Sequence, residues 1–440
     1  MLMKRLLKIS TAVLMMLLFY SAAHAYKLPD TGQTKCYGTV SPYDEIDCSL
    51  AAAEGQDGEY SINPISYTDN GNGTVTDNNT GLMWQRCSMG QDSMTCSGTA
   101  LTYTWDQAPA ATGCGALNAA DFAGHNDWRV PSKKELISIV DYGVSFPGPT
   151  IKVKYFPNTI AGNASLYWTS TQLASAATSA WYTSFDYGSV YNVSKSTSYY
   201  VRCVRGNATA QSFTPNGNTV TDNRTGLTWQ KCAPGQNDTT CSGTATRYNW
   251  NGALSYCNTL PLANQTDWRI PSAKEFESLT DDTKFNPSID TQFFPYTVYD
   301  RYWWSSTTSA SSPNYAWYAA FGGGSVVSSG DKDPLGNLNV RCVRGGQNGP
   351  PNYLVRLMDP GNPVNTYSTL HDAYAAAYEG YMIQAQATDL TETLTLADNK
   401  AVTLRGGYDS DFLLHLSMTT LNGSLTISGG SVTVENLMIE

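Results

Sequence analysis

The apolar positions Val75, Leu82, Met83 and Trp84, set among Thr, Asp and Asn, predict strand, turn and strand over Thr74–Asp77 and Leu82–Trp84. Gly81 can take the positive-φ position that closes such a short hairpin. A helical stretch is predicted over Thr104–Leu117, carrying Cys114, with a counterpart over Thr246–Leu260. After Trp128-Arg129-Val130-Pro131, Ser132 and Glu135 form a capping box that starts a second helix; Ser272 and Glu275 repeat it. Short aromatic strands, Tyr167–Thr171, Ala180–Tyr187 and Tyr200–Val204, then alternate with loops rich in Ser, Gly and Asn. The fold class is α+β, with the first and last strands of each domain close together.

This pattern occurs twice. Residues 73–206 recur as 217–345, and the offset drifts from 145 at Trp84/Trp229 to 136 at Trp181/Trp317 and 139 at Cys203/Cys342. A drifting period with persistent Trp and Cys landmarks means two tandem copies with loop insertions, each long enough to own a core. The expected domains are 67–206 and 214–346, after an N-terminal segment 26–66 and before a different segment, 353–440.

The first 25 residues read as a signal peptide: Lys4, Arg5 and Lys8, an apolar run Ala12–Tyr20, then Ala23-His24-Ala25 before Tyr26. Nine or ten apolar residues cannot span a bilayer, and no second such run follows, so no membrane insertion is expected after its removal. The expected location is outside the cytoplasm: extracellular, cell-surface or periplasmic. Without the leader, 24 Lys+Arg face 37 Asp+Glu, a net of −13. Such a surface repels phosphate backbones and anionic lipid, which argues against nucleic acid as a partner.

Ten cysteines suit an oxidising compartment. Cys36 and Cys48 lie in the N-terminal segment, and each copy holds four. Four cysteines allow three pairings, which spacing alone does not choose between. The favoured set is local, Cys87–Cys96 and Cys232–Cys241, plus long, Cys114–Cys203 and Cys257–Cys342. In the chain-entropy model the short loop contributes roughly 2.7 kcal/mol and the ~90-residue loop about 4.6. With no C-x-x-C pairs and few His, a metal site is disfavoured, and no cofactor is called for.

Gly73-Thr74-Val75-Thr76-Asp77, Thr80-Gly81-Leu82-Met83-Trp84, Asp127-Trp128-Arg129-Val130-Pro131-Ser132, Tyr167-Trp168-Thr169-Ser170-Thr171, Ala180-Trp181-Tyr182 and Val201-Arg202-Cys203-Val204-Arg205 resemble the Lcl C-terminal-domain family. The resemblance covers both copies. It implies a variant of the C-type-lectin-like fold, related to formylglycine-generating enzymes, in which a helix-to-last-strand disulfide is usual. It also implies surface adhesion, the adhesin that names the family binding sulfated polysaccharide. Here the acidic chain makes a sulfated polyanion a poor ligand, and no Gly-X-Y collagen tract is present.

Trp128, Trp168, Trp181, Trp268, Trp304 and Trp317 are held in both copies and read as core. Arg129 and Arg269 read as structural ion pairs with Asp127 and Asp267, and Arg202 and Arg205 as bridges between strands or turn carbonyls. Aromatics that differ between copies are the ligand candidates: Tyr187, Tyr191 and Tyr199 in copy one, and Tyr299, Tyr302 and Trp303 in copy two. Asp69-Asn70-Gly71-Asn72-Gly73 lacks the oxygens of a calcium loop and reads as a turn. Of the leaderless chain's histidines, His125, His371 and His415, none has a nucleophile partner in the pattern, so no enzyme is expected.

Beyond the linker at 345–351, Ser368 could cap a helix Thr369–Tyr378 ended by Gly380. Short strands follow at Met382–Ala385, Ala401–Leu404, Ser424–Ile427, Val432–Val434 and Leu437–Ile439, with turns at Gly406-Gly407-Tyr408-Asp409 and Ser428-Gly429-Gly430. This resembles the start of a right-handed parallel β-helix of the pectin-lyase-like kind. Without a polar cap its end is expected to stack on a partner, or to belong to a shortened β-helix. The functional expectation is an exported binding or adhesion protein recognising a glycan or surface protein through its loops. The rivals are a spacer module without a ligand, and an enzyme acting on polysaccharide or generating formylglycine.

Overall fold

The computed structural model describes residues 26–162, 165–207, 210–332, 337–345, 354–359, 362–367, 369–408, 412 and 418–440. The leader, the linker beyond Gly345, Ser368, Asp409 and His415 lie outside them. The described chain is rich in short strands, with a few short helices.

In copy one the hairpin forms with Val75 opposite Trp84, and Gly81 takes φ 71° in its turn. Tyr67–Asp69 adds to one side and Val204–Arg205 to the other, so the last strand of the copy lies beside Met83–Gln85. Copy two repeats this, with Val220 opposite Trp229 and Trp229 opposite Val343. A second sheet in copy one runs Thr102–Tyr103, Tyr199–Tyr200, Leu166–Gln172, Ser179–Ser184, Val190–Ser194 in spatial order. Its counterpart in copy two has Trp303–Thr308, Tyr315–Ala320 and Ser325–Asp331.

Several elements differ from expectation. Helix α1 covers only Cys114–Ala119, not the stretch from Thr104. Pro109 lacks an amide donor, and Gly113 sits so close to Ala108 that a Cβ would lie 2.0 Å from its carbonyl oxygen. The strand expected at Tyr200–Val204 splits between two sheets. In the gap Met89 N donates to Val201 O and Gln85 N to Cys203 O, both at 2.9 Å. The strand expected to reach Tyr187 stops at Ser184, and Gly188, at φ 79°, turns the chain into the next strand. Helices α2 (Lys133–Ser138) and α4 (Ala273–Leu279) begin at complete capping boxes, and α3 spans Trp250–Asn258. Five disulfides join Cys36–Cys48, Cys87–Cys96, Cys114–Cys203, Cys232–Cys241 and Cys257–Cys342.

The copies do not keep fully separate cores. Each has a smaller one around its long bridge, with Trp128 and Trp168 beside Cys114 and Cys203, and Trp250, Trp268 and Trp304 beside Cys257 and Cys342. The largest apolar cluster draws on both, joining Trp84, Leu136, Phe156 and Tyr167 to Trp229, Phe276, Trp303 and Phe321. Helices α2 and α4 meet there reciprocally. Lys134 Nζ donates to the carbonyls of Ser278, at 3.1 Å, and Thr280, while Lys274 Nζ donates to Ser138 O at 2.9 Å. Each ammonium thus satisfies carbonyls at the C-terminus of the other copy's helix, where the helix dipole favours a cation. Lys133, wholly buried, lies 2.8 Å from Glu277 Oε1 and 2.5 Å from Asp282 Oδ1. Tyr142 of copy one meets Trp317 of copy two edge-on at 4.6 Å.

The N-terminal segment bonds copy one at its ends, where Lys27 N donates to Asn79 O at 3.0 Å and Asn79 Nδ2 to Pro64 O at 2.8 Å, but residues 33–60 fold across copy two. Its buried Asp57 accepts from Thr31 Oγ1 at 2.7 Å and from Thr307 Oγ1 at 2.6 Å. Burial, then the neighbouring Asp30 carboxylate, push the Asp57 pKa up, against the pull of those two hydroxyls. A carboxyl raised in the folded state stabilises it below the unfolded pKa, and that contribution is lost as pH rises through the folded value. Urea midpoints of wild type and Asp57→Asn, taken at pH 5 and pH 8, should show the wild type gaining relative to the variant at pH 5. An equal difference at both pH values would refute this assignment.

In the C-terminal segment Val355–Asp359 pairs antiparallel with Asn362–Tyr367 and with Met382–Gln386. Three parallel ladders follow. Met382–Gln386 pairs with Ala401–Tyr408 and that with Ser431–Glu435; Asp389–Thr391 pairs with Thr419–Asn422 and that with Leu437–Ile439; Leu394–Leu396 pairs with Leu425–Ile427. Helix α5 (Leu370–Ala376) is capped by Thr369, whose Oγ1 accepts from Asp372 N, and it packs Leu370, Ala373 and Tyr374 against Val355, Ile383, Leu404 and Leu421.

Candidate functional site

The six tryptophans held in both copies are buried. The arginine pairing differs from expectation. Arg129 does not bond the adjacent Asp127. It forks onto Glu135, with both bonds at 2.7 Å, and so locks the capping box of α2; Arg269 does the same with Glu275. Asp127 instead receives Arg205 Nε at 2.6 Å, and Asp267 receives Arg344 Nε at 2.6 Å. The capping box already holds the Glu135 carboxylate in place, its Oε2 accepting from Ser132 N at 2.8 Å, so the guanidinium fork meets a fixed partner there. Arg202 is buried over the Phe156 ring and donates to Thr159 Oγ1 at 2.9 Å.

The candidate aromatics separate into distinct places. Trp303 is fully buried in its strand, because it takes the position that Tyr167 holds in copy one, and its Nε1 donates to Val298 O at 2.8 Å. Tyr187 stacks on Phe146 at 4.6 Å, and Phe146 N donates to Ser311 Oγ of copy two at 2.8 Å. Tyr299 is exposed, and exposed Tyr302 lies 4.2 Å from Tyr318.

Tyr191 and Tyr199 belong together, joined by a third ring outside the expected set, Tyr182. Strand register places Tyr182 directly between Trp168 and Tyr191. Its ring lies 4.9 Å from Tyr199 and 6.1 Å from Tyr191, while Tyr199 lies 5.0 Å from Trp168. Burial, then the neighbouring Tyr199 and Tyr191 hydroxyls, push the Tyr182 hydroxyl pKa up to about 12, so Tyr182 is a neutral donor near neutral pH. Tyr191 is 48% exposed and Tyr199 half-buried. Tyr182 escaped notice because copy two keeps it as Tyr318; what differs is its cross-strand neighbour, Tyr191 in copy one and Val327 in copy two. Counting cross-strand pairs rather than single positions would have found it.

Nearby on the same core, Trp105 Nε1 donates to Thr169 O at 2.8 Å. Lys195 lies 4.0 Å over the Trp105 ring, its Nζ 2.6 Å from Gln172 Oε1. The tyrosine face therefore presents rings tipped with hydroxyls, and the patch at Trp105 presents an indole, an amide and one ammonium. Asp69–Gly73 forms a turn in which Asp69 Oδ1 accepts from Gly71 N at 3.0 Å. Among the described residues no three His, Cys, Asp or Glu side chains are grouped to hold a metal ion.

The Lcl C-terminal domain matches residues 73–205 and 218–344, and the chain belongs to that family. No curated protein matches the chain. The five disulfides are consistent with an exported protein, and no helix among the described residues is long and apolar enough to cross a membrane.

Proposed function

We propose that the chain is an exported, non-catalytic binding protein whose copy-one face takes an uncharged glycan. The observation that carries this is the convergence of Tyr182, Tyr191 and Tyr199 over Trp168 on one sheet face. Aromatic faces accept the C–H side of a sugar ring, and neutral hydroxyls exchange hydrogen bonds with its hydroxyls. The acidic chain disfavours sulfated or phosphorylated polymers. First and last strands in one sheet, capped helices and helix-to-last-strand bridges support a C-type-lectin-like reading of each copy. The parallel ladders after Met382 support a β-helix reading of the C-terminal segment.

The mature chain on a glycan array, with and without calcium, should retain neutral glycans equally in both conditions. Tyr191→Ala should weaken that binding by about 30-fold, the loss typical of an aromatic anchor worth 2 kcal/mol, at an unchanged melting temperature. Silence across the array would refute the reading and favour the spacer alternative. Retention only of sulfated polymers would refute the charge argument.

A further inference from the structure

The duplication contains its own template for a second binding surface, separate from the tyrosine face. In copy two the strand Trp303–Thr308 is buried along its whole length, with the N-terminal segment lying across it. Tyr60 bonds Ser306 Oγ at 2.8 Å, and its ring stacks 4.6 Å from the Arg269 guanidinium. Asp57 takes the Thr307 hydroxyl, and Gln33 Nε2 donates to Thr308 O at 3.1 Å. Tyr37, Tyr43 and Trp250 surround the Lys332 ammonium at 5.4, 5.3 and 3.8 Å.

Copy one has the same arrangement, uncovered. Thr171 Oγ1 accepts from Lys133 N at 2.9 Å, as Thr307 Oγ1 accepts from Ala273 N at 2.9 Å. Trp105 bonds Thr169 O as Trp250 bonds Ser305 O, and Lys195 caps Trp105 as Lys332 caps Trp250. Yet Ser170 and Gln172 are exposed, and the Arg129 side chain keeps 38% of its surface where Arg269 keeps 7%.

We propose that this copy-one groove, from Arg129 past Ser170–Gln172 to Trp105 and Lys195, docks a polypeptide segment of another protein. That segment is built like residues 33–60, but carries a cationic or N–H group toward Asp106. Tyrosine rings meet Lys195 and Trp105, a carboxylate takes the Thr171 hydroxyl, and a further tyrosine stacks on Arg129. Two substitutions exclude this chain's own segment. In copy two Asn251 Nδ2 donates to Thr39 O, and Asn258 Nδ2 donates to Glu54 O at 3.0 Å. Asp106 and Gly115 stand at the corresponding positions of copy one. A carboxylate would face the Thr39 carbonyl and one donor would be missing, a repulsive element that separates partners. This explains why a segment joined directly to copy one lies on copy two.

The test uses the full mature chain, titrated calorimetrically with an oxidised peptide of residues 30–62 and with the same peptide carrying Thr39→Lys. The lysine peptide should bind wild type at least tenfold more tightly than the native peptide. Asp106→Asn, which can donate to the main-chain carbonyl of residue 39 in either peptide, should erase that preference. Ser170→Arg, which fills the exposed groove without removing a side-chain bond, should abolish both at an unchanged melting temperature. Failure of both peptides to bind wild type and Asp106→Asn would overturn the proposal. Binding that survives Ser170→Arg would also overturn it, by placing the peptide elsewhere, such as in exchange on copy two.

Discussion

Replacing Lys133 by methionine is expected to destabilise the joined copies by about 3–5 kcal/mol, the cost of leaving buried charges without their partner. The Lys133 ammonium is fully buried between Glu277 and Asp282, donates to the Gly324 carbonyl, and lies 4.8 Å from the Trp181 ring. Burial alone would lower its pKa, but the Asp282 and Glu277 carboxylates outweigh it and leave it raised. The Glu277 pKa is already raised by burial, with Lys133 the main opposing influence. Without Lys133 the Glu277 carboxyl moves further above its unfolded value. The penalty is therefore absent below the unfolded pKa and grows as pH rises through the folded one. Urea titrations should show the Lys133→Met deficit shrinking from pH 7 to pH 4.5. Adding Glu277→Gln and Asp282→Asn should restore at least half of it at pH 7. A triple variant no more stable than the single one would contradict this account.

The second large effect concerns the long bridges. Changing Cys114 and Cys203 together to serine should cost about 4–5 kcal/mol, against roughly 2–3 for Cys87 and Cys96, because the closed loop is about tenfold longer. The sequence separations are 89 and 9 residues. Cys114 opens α1 and Cys203 precedes the last strand of the copy, so the bridge ties the helix to the sheet inside the core with Trp128 and Trp168. Melting of the two double variants should rank them in that order. A larger loss from the short bridge would mean that its loop, not chain closure, dominates.

Features that depend on local chemistry could be read from the chain. Both capping boxes and the hairpin closed by Gly81 follow from short-range residue choices. The extent of α1 could not, because the helical pattern from Thr104 is overridden by Pro109 and by the tight approach at Gly113. Nor could the union of the copies. Lys133 and Lys134 look like solvent-facing residues of a first helical turn, and only the fold brings the ends of α4 to them. The site was half legible. Difference between copies pointed to Tyr191 and Tyr199, but the same rule picked buried Trp303 and passed over Tyr182. A residue that differs between the copies lines the surface at Tyr191 but fills the interior at Trp303.

The exchange of lysines between α2 and α4 has a consequence for how such a module can be moved between proteins. Neither half can be grafted alone. A lone copy would show solvent an oily wall and a stranded ammonium, together with a helix end missing its seal. Any transplant must carry both halves and the forty or so residues ahead of them, and the whole block then behaves as one indivisible cassette.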